Sequence, residues 1–304
     1  MHDVIRSLGA QMNEGIALTT PMPTAPSRII CCGMGGSSTA GELLSLVRAN
    51  VIVHWDWNLP EMATKDDLII CTSWSGATHE TLSSYDAARA LGAQLAVIAT
   101  GGELAERARR DGVPLTLIPT NPNPPRFNVG LMVGALFSFA GMAQQLRDCT
   151  IRDSESEGRA LASAIGSATP VFYTSYPLRK IAGFFKTLIN ENAKRHAWSG
   201  SFPSIAHNEV MGWSTRSHEY IPCVLRGTPE RDTDTRDIEA YIALMREMGY
   251  TVPIIGLSGA STLEQALNAY ATALWASWYV ASDAGIDVRG TPLIDALKQL
   301  KGQV

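Results

Sequence analysis

Residues 28–38 read Arg28-Ile29-Ile30-Cys31-Cys32-Gly33-Met34-Gly35-Gly36-Ser37-Ser38, and residues 68–78 read Leu68-Ile69-Ile70-Cys71-Thr72-Ser73-Trp74-Ser75-Gly76-Ala77-Thr78. Each is a short apolar run that passes through a Gly/Ser turn into a helical pattern, the first through Leu43, Leu44 and Val47, the second from Glu80. Apolar runs without alternation read as strands buried on both faces, the condition of a parallel sheet covered by helices. Runs at 51–55, 94–99 and 115–118 extend the pattern. The first half is therefore expected to be a doubly wound α/β domain.

The segment Asn121-Pro-Asn-Pro-Pro125 is rigid and non-helical, and 127–146 then reads as one long buried helix closing that domain. Charge concentrates and the apolar pattern lapses over 147–159, which makes this stretch the expected boundary. Beyond it, strands are expected at 170–173, 220–225 and 252–257, with helical patterns at 178–196, 234–248 and 263–280. The whole is thus expected to be α/β, with two doubly wound parallel-sheet domains over 1–150 and 151–304. Both halves run a strand through a Ser- or Gly-bearing turn into a helix, a weak hint of duplication.

Hydrophobic residues make up 45% of the 304-residue chain and charged residues 18%, which describes an ordinary globular protein and excludes disorder. A net charge of -4, with no Lys/Arg run interleaved with aromatics, gives no footprint for nucleic acid. Five cysteines without a C-x-x-C pair indicate neither a disulfide framework nor a thiolate metal site, and a reducing cytoplasm is expected. Cys31 and Cys32, in a buried strand, are expected to be inert. Near the N-terminus Val4, Ile5, Leu8 and Met12 suggest a packed helix instead of a signal peptide, and the uncharged run 129–142 is too short for the ~20 residues that span a bilayer. No membrane association is expected. His196, His207 and His218 stand 11 apart and, like His54 and His79, lack chelating partners, so no metal is expected.

The Gly33–Ser38 turn lets backbone approach a ligand closely at a helix N-terminus, which favours an anion. Two readings stand for it. One is a dinucleotide fingerprint, with Asp56 at about the ~20-residue spacing of a ribose-gripping acid; Ser38 in place of the third glycine counts against it. The other is a phosphate site shared with Ser73, Ser75 and Thr78, whose three hydroxyls lie at the end of the next strand but one. That second loop has no nearby lysine or Mg²⁺-binding carboxylate, which suits a phosphate that is held and not transferred. The plain alternative is that Thr78 caps its helix. Ser73 and Ser75 do not form a nucleophile elbow.

Gly-Met-Gly-Gly-Ser followed by Ser-x-Ser-Gly-x-Thr resembles the sugar isomerase (SIS) domain, a doubly wound fold that binds phosphosugars through the serine loop. Ala77 stands where Asn is frequent in relatives. Asn190-Glu191-Asn192-Ala193-Lys194, followed by His207-Asn208-Glu209-x-x-Gly212-Trp213, resembles the bifunctional phosphoglucose/phosphomannose isomerase family of the same superfamily. The resemblance implies an aldose–ketose isomerase acting on a small sugar phosphate, with no metal or organic cofactor and a homodimer whose sites lie at the subunit interface. It implies that Gly36, Ser37, Ser73, Ser75 and Thr78 hold the phosphate. It also implies that Glu191 moves the proton between C1 and C2, that His207 and Lys298 open the ring, and that Arg126 stabilises the enediolate. Thr291 would border the sugar and leave room for both C2 epimers. Ser204 to Ala206 differ from the Glu-Leu-Asn of several relatives.

The residues alone leave other readings open. Glu191 follows the apolar stripe Ile181, Phe184, Phe185 and Leu188, at the edge of a buried face where a general base is useful; it could equally pair on the surface with Arg195 at i+4. Arg126 could be a helix-start arginine in solvent. Thr291 and Pro292 read as N-cap and N1 of a last helix, with Lys298 near its final turn.

Overall fold

Five parallel strands, β1 (Ile29–Cys32), β2 (Val51–His54), β3 (Leu68–Ser73), β4 (Gln94–Ala99) and β5 (Leu115–Leu117), form a sheet in the order β2-β1-β3-β4-β5. They belong to a computed structural model that describes residues 1–22, 26–215 and 217–302. Contacts divide the chain into one unit of Met1–Thr150 with Thr291–Val304 and a second of Ile151–Gly290. The closing segment, expected with the second domain, thus groups with the first unit.

In the first unit Ile29 pairs with Val51 on one side and Leu68 on the other. Every residue of β1 and β3 is buried, which explains why their sequences do not alternate. The chain goes outward from β1 to β2 and returns to the far side of β1 for β3. The topological switch therefore lies between β1 and β3, the place where open α/β sheets take ligands. Around this sheet run α1 (His2–Arg6), α2 (Leu8–Ala17), α3 (Thr39–Val47), α4 (His79–Leu91), α5 (Gly102–Arg110), α6 (Val129–Phe139) and α7 (Ala143–Arg147). Helices α2 and α6 touch through backbone: a methyl on Gly134 would stand 2.1 Å from the Met12 carbonyl oxygen, and one on Gly15 2.2 Å from that of Leu131. Buried Gln11 donates to the Phe127 carbonyl at 2.9 Å and accepts from the Gly130 N–H at 3.2 Å, satisfying the start of α6.

The single helix expected over 127–146 is two. It ends at Phe139, Gly141 turns the chain at φ +72°, and α7 restarts at Ala143. Uniformly apolar composition conceals the break, because all of α6 is buried and no periodicity marks its face.

The second unit has four parallel strands, β6 (Thr169–Ser175), β7 (Trp198–Phe202), β8 (Tyr220–Arg226) and β9 (Ile254–Gly256), in the order β7-β6-β8-β9. Its helices are α8 (Glu155–Ile165), α9 (Arg179–Ala193), α10 (Asp232–Glu247) and α11 (Thr262–Asp283). Successive residues of β6 point to opposite faces. Phe172 meets Phe185 of α9 with ring centroids 5.2 Å apart, whereas Tyr173 meets Tyr241 of α10 at 5.3 Å. Helix α9 also packs on α11, which packs on α8, so these three cover one face and α10 the other. Edge strand β7 and helix α8 were not foreseen: Trp-Ser-Gly-Ser is too polar to read as a strand, and α8 begins within the charged boundary stretch. The last helix, α12 (Pro292–Leu300), buries none of its residues, and Leu293 and Leu300 are 84% and 86% exposed. Among the described residues no helix is long and apolar enough to cross a membrane.

Candidate active site

The loops after β1 and β3 meet at the switch point. The Ser37 hydroxyl accepts from the Trp74 N–H at 3.1 Å, joining the two turns directly. Buried Ser73 shares a hydroxyl contact of 2.9 Å with half-buried Thr78, and the Ser73 hydroxyl also accepts from the Gly76 N–H at 3.1 Å. Thr78 occupies the N-cap position of α4 but makes no side-chain cap bond, so the capping reading fails: its hydroxyl is turned to Ser73. Ser75 is exposed, and its hydroxyl accepts from the Ala77 N–H at 3.3 Å. Gly76 is in the left-handed region at φ +67°, and a Cβ there would lie 1.8 Å from the Gly101 carbonyl oxygen. Only glycine fits the turn. Behind it, Thr100 donates to the Trp74 carbonyl at 2.6 Å, a support that no spacing in the sequence announced.

The Pro-rich segment closes on the same place. A Cβ on Gly36 would stand 3.3 Å from the Arg126 nitrogen and 3.5 Å from the Pro125 Cβ. Asn121 and Asn128 hold this segment through reciprocal amide bonds of 2.9 and 3.0 Å, and Asn128 donates further to the Asn123 carbonyl at 2.9 Å. Arg126 is therefore no solvated helix-start residue. It is 3% exposed, and its guanidinium carbon lies 5.7 Å from the centroid of the Phe127 ring. The Arg126 backbone thus lies beside the Gly36 turn, next to two hydroxyl-rich turns and a helix start without a side-chain cap, an arrangement that suits an anion. The Asp56 carboxylate accepts from the Trp57 N–H at 2.7 Å within its own turn. The Cys71 thiol is held well above its ordinary pKa by a hydrogen bond with Cys32 and by full burial, so it offers no thiolate.

In the second unit Glu191 is half-buried near the C-terminal end of α9. The residues flanking it hold that helix end. Asn192, fully buried, donates to Ser277 of α11 at 2.8 Å; Asn190 donates to the Arg195 carbonyl at 2.8 Å; Lys194 ends the helix in the left-handed conformation at φ +55°. The Arg195 guanidinium donates instead to the carbonyls of Gly166, at 2.7 Å, and Ala168, an orientation that departs from the i+4 pairing considered for it. His207 is exposed, at the end of the 3₁₀ turn Ser204–His207 that follows β7. This turn packs with α10, for Ile205, Phe202, Tyr173, Trp213 and Tyr241 share one core cluster. Helix α9, which carries Glu191, and the turn that carries His207 thus pack on opposite faces of one sheet.

Thr291 stands at the N-cap position of α12 without a side-chain cap bond, 3.5 Å from both carboxylate oxygens of Asp295. Lys298 is exposed in the last turn. Among the described residues no group of three His, Cys, Asp or Glu is arranged to hold a metal.

Residues 154–300 match the family described as the bacterial phospho-glucose isomerase C-terminal SIS domain. The chain is 27% identical over 286 residues to a bifunctional phosphoglucose/phosphomannose isomerase of Aquifex aeolicus, covering 89% of both chains. It is 29% identical over 224 residues to a D-glucosamine-6-phosphate 4-epimerase of Sulfolobus acidocaldarius, covering 70% of this chain and 72% of that one. Among solved structures, a hypothetical protein of Thermus thermophilus superposes with a TM-score of 0.73 at 17% identity, over 99% of this chain and 88% of the other, a likeness of fold.

Proposed function

We propose that the chain is a member of the bifunctional phosphoglucose/phosphomannose isomerase family and that it interconverts glucose 6-phosphate and mannose 6-phosphate with fructose 6-phosphate, without metal or organic cofactor. The observation that carries the reading is the cradle at the switch point, where Ser37, Ser73, Ser75 and Thr78 surround an uncapped helix start beside Gly36 and buried Arg126. Such a site holds a phosphate monoester and leaves the rest of the sugar for chemistry.

The proposed sequence begins with ring opening by His207 and Lys298: a proton leaves the O1 hydroxyl, another is delivered to ring O5, and the C1–O5 bond breaks. Glu191 then takes the C2 proton of the open-chain aldose. Its electron pair forms the C1–C2 double bond of an enediolate, and the carbonyl oxygen O1 takes the negative charge, near Arg126. A proton passes from O2 to O1, and the Glu191 carboxyl returns its proton to C1, giving the 2-ketose. Thr291 borders C2 and tolerates either epimer.

Because Glu191 and His207 ride on opposite faces of one sheet, a working pair calls for two copies. We read the active form as a cytoplasmic homodimer of paired SIS domains, over 1–150 and 151–290 with the closing segment 291–304 grouped with the first, in which Glu191 of one copy serves with His207 of the other. Mixing tests this. Glu191→Gln and His207→Ala homodimers should each be inactive, while co-expressed chains should recover about a quarter of wild-type activity, since half the dimers are mixed and each holds one intact site. No recovery, or an active single variant, overturns the assignment.

The Sulfolobus relative favours a second reading, epimerisation of an amino-sugar phosphate held in the same cradle. Formation of galactosamine 6-phosphate from glucosamine 6-phosphate, without fructose 6-phosphate from either aldose, would select it.

A further inference from the structure

Tyr173 lies in the middle of β6 and is 1% exposed. Its hydroxyl donates to Glu209 Oε1 at 2.7 Å and accepts from Trp213 Nε1 at 3.1 Å. Glu209 and Trp213 are the first and last residues of the 3₁₀ turn Glu209–Trp213, which begins two residues after His207. One phenol thus grips both ends of the segment beyond the histidine. Tyr250 fastens its exit, donating to the carbonyls of Trp213 and Thr215 at 3.4 Å and accepting from the Ser217 N–H at 3.1 Å. On the other side of His207, buried Ile205 lies against Gly200, where an added Cβ would stand 2.7 Å from Ile205 Cγ2 and 3.1 Å from Glu209 Oε2. His207 itself is exposed and, among the described residues, its imidazole makes no hydrogen bond.

A hydrophobic cluster needs none of this polarity. Phenylalanine would pack as well at 173, and a carboxylate and an indole N–H brought to a buried phenol are costly unless their bonds are made. Burial first, then the neighbouring Tyr241 and Glu209, hold the Tyr173 hydroxyl well above the ordinary phenol range, so it remains a donor. Anchored neighbours at positions 205 and 209 with an unbound ring between them describe a presented side chain. We propose that Tyr173 and Glu209 are positioning residues for His207, fixing the turn from which its imidazole reaches the sugar ring. The inference rests on the reading of His207 as a ring-opening group, and it separates that step from phosphate binding, which lies in the other unit.

The test uses full-length Tyr173→Phe, Glu209→Ala and Glu209→Gln. Amide exchange over 204–214 reports the turn, and nuclear magnetic resonance exchange between the anomers of glucose 6-phosphate reports ring opening. Tyr173→Phe and Glu209→Ala should speed amide exchange in that segment alone and slow both anomer exchange and kcat about tenfold, the loss of one hydrogen bond to a charged group, with KM within about twofold. Glu209→Gln keeps an acceptor for Tyr173 and should behave as wild type. Unchanged amide exchange in both variants would overturn the proposal. So would a Glu209→Gln loss as deep as that of Glu209→Ala with a shifted pH profile, which would make Glu209 an ionised participant. If the wild type shows no anomer exchange, the ring-opening role of His207 falls alone, and amide exchange still decides whether the network holds the turn.

Discussion

Thr78 shows how a residue can sit in a capping position and serve something else. Its hydroxyl turns to Ser73 at 2.9 Å, leaving the first N–H groups of α4 without a side-chain partner. Thr78→Val removes the hydroxyl at constant shape, so KM for the sugar phosphate should rise about tenfold with kcat little changed, the mark of lost ground-state binding. Steady-state kinetics checks this; a fall in kcat at constant KM would contradict it. The serine loops were legible because hydroxyls and glycines stood at fixed local spacing after apolar runs. The approach of Arg126 to Gly36 was not, since it depends on a turn far along the chain and on the Asn121–Asn128 clasp. Nor was the Tyr173–Glu209 bond, for a tyrosine in an apolar strand carries no sign of its partner.

At the scale of elements, propensity located most strands and failed where tertiary context decides. Strand β7 pairs through backbone at a sheet edge, so its polar side chains carry no burial signal. The start of the first sheet depends on a clasp: Arg28 donates to both carboxylate oxygens of Asp67 at 2.7 Å, and Asp67 also accepts from the Thr64 N–H at 2.7 Å. The Arg28 hydrogen bond, more than burial can oppose, holds the Asp67 carboxyl below its ordinary pKa. A depressed folded-state value gives stability that is complete above the unfolded value of about 3.9 and is lost as pH falls through the lower folded one. Asp67→Asn should therefore lower the urea midpoint at pH 7, and the gap from wild type should shrink as pH is taken down from about 4. A gap independent of pH would mean that the side chain acts through shape alone.

For the whole molecule, the two parallel sheets follow from which apolar runs are continuous, while strand order and the assignment of helices to faces do not. Those faces matter most, because α9 carries Glu191 on one and the turn after β7 carries His207 on the other. The motif residues were legible one by one, but their separation by a sheet was visible only once the crossovers were fixed. The most direct measurement is fructose 6-phosphate formed by chelator-treated, purified protein from glucose 6-phosphate and, separately, from mannose 6-phosphate. Formation from both, abolished by Glu191→Gln, is the expected result. No fructose 6-phosphate from either, or formation only after a divalent metal is restored, would contradict a metal-independent dual isomerase.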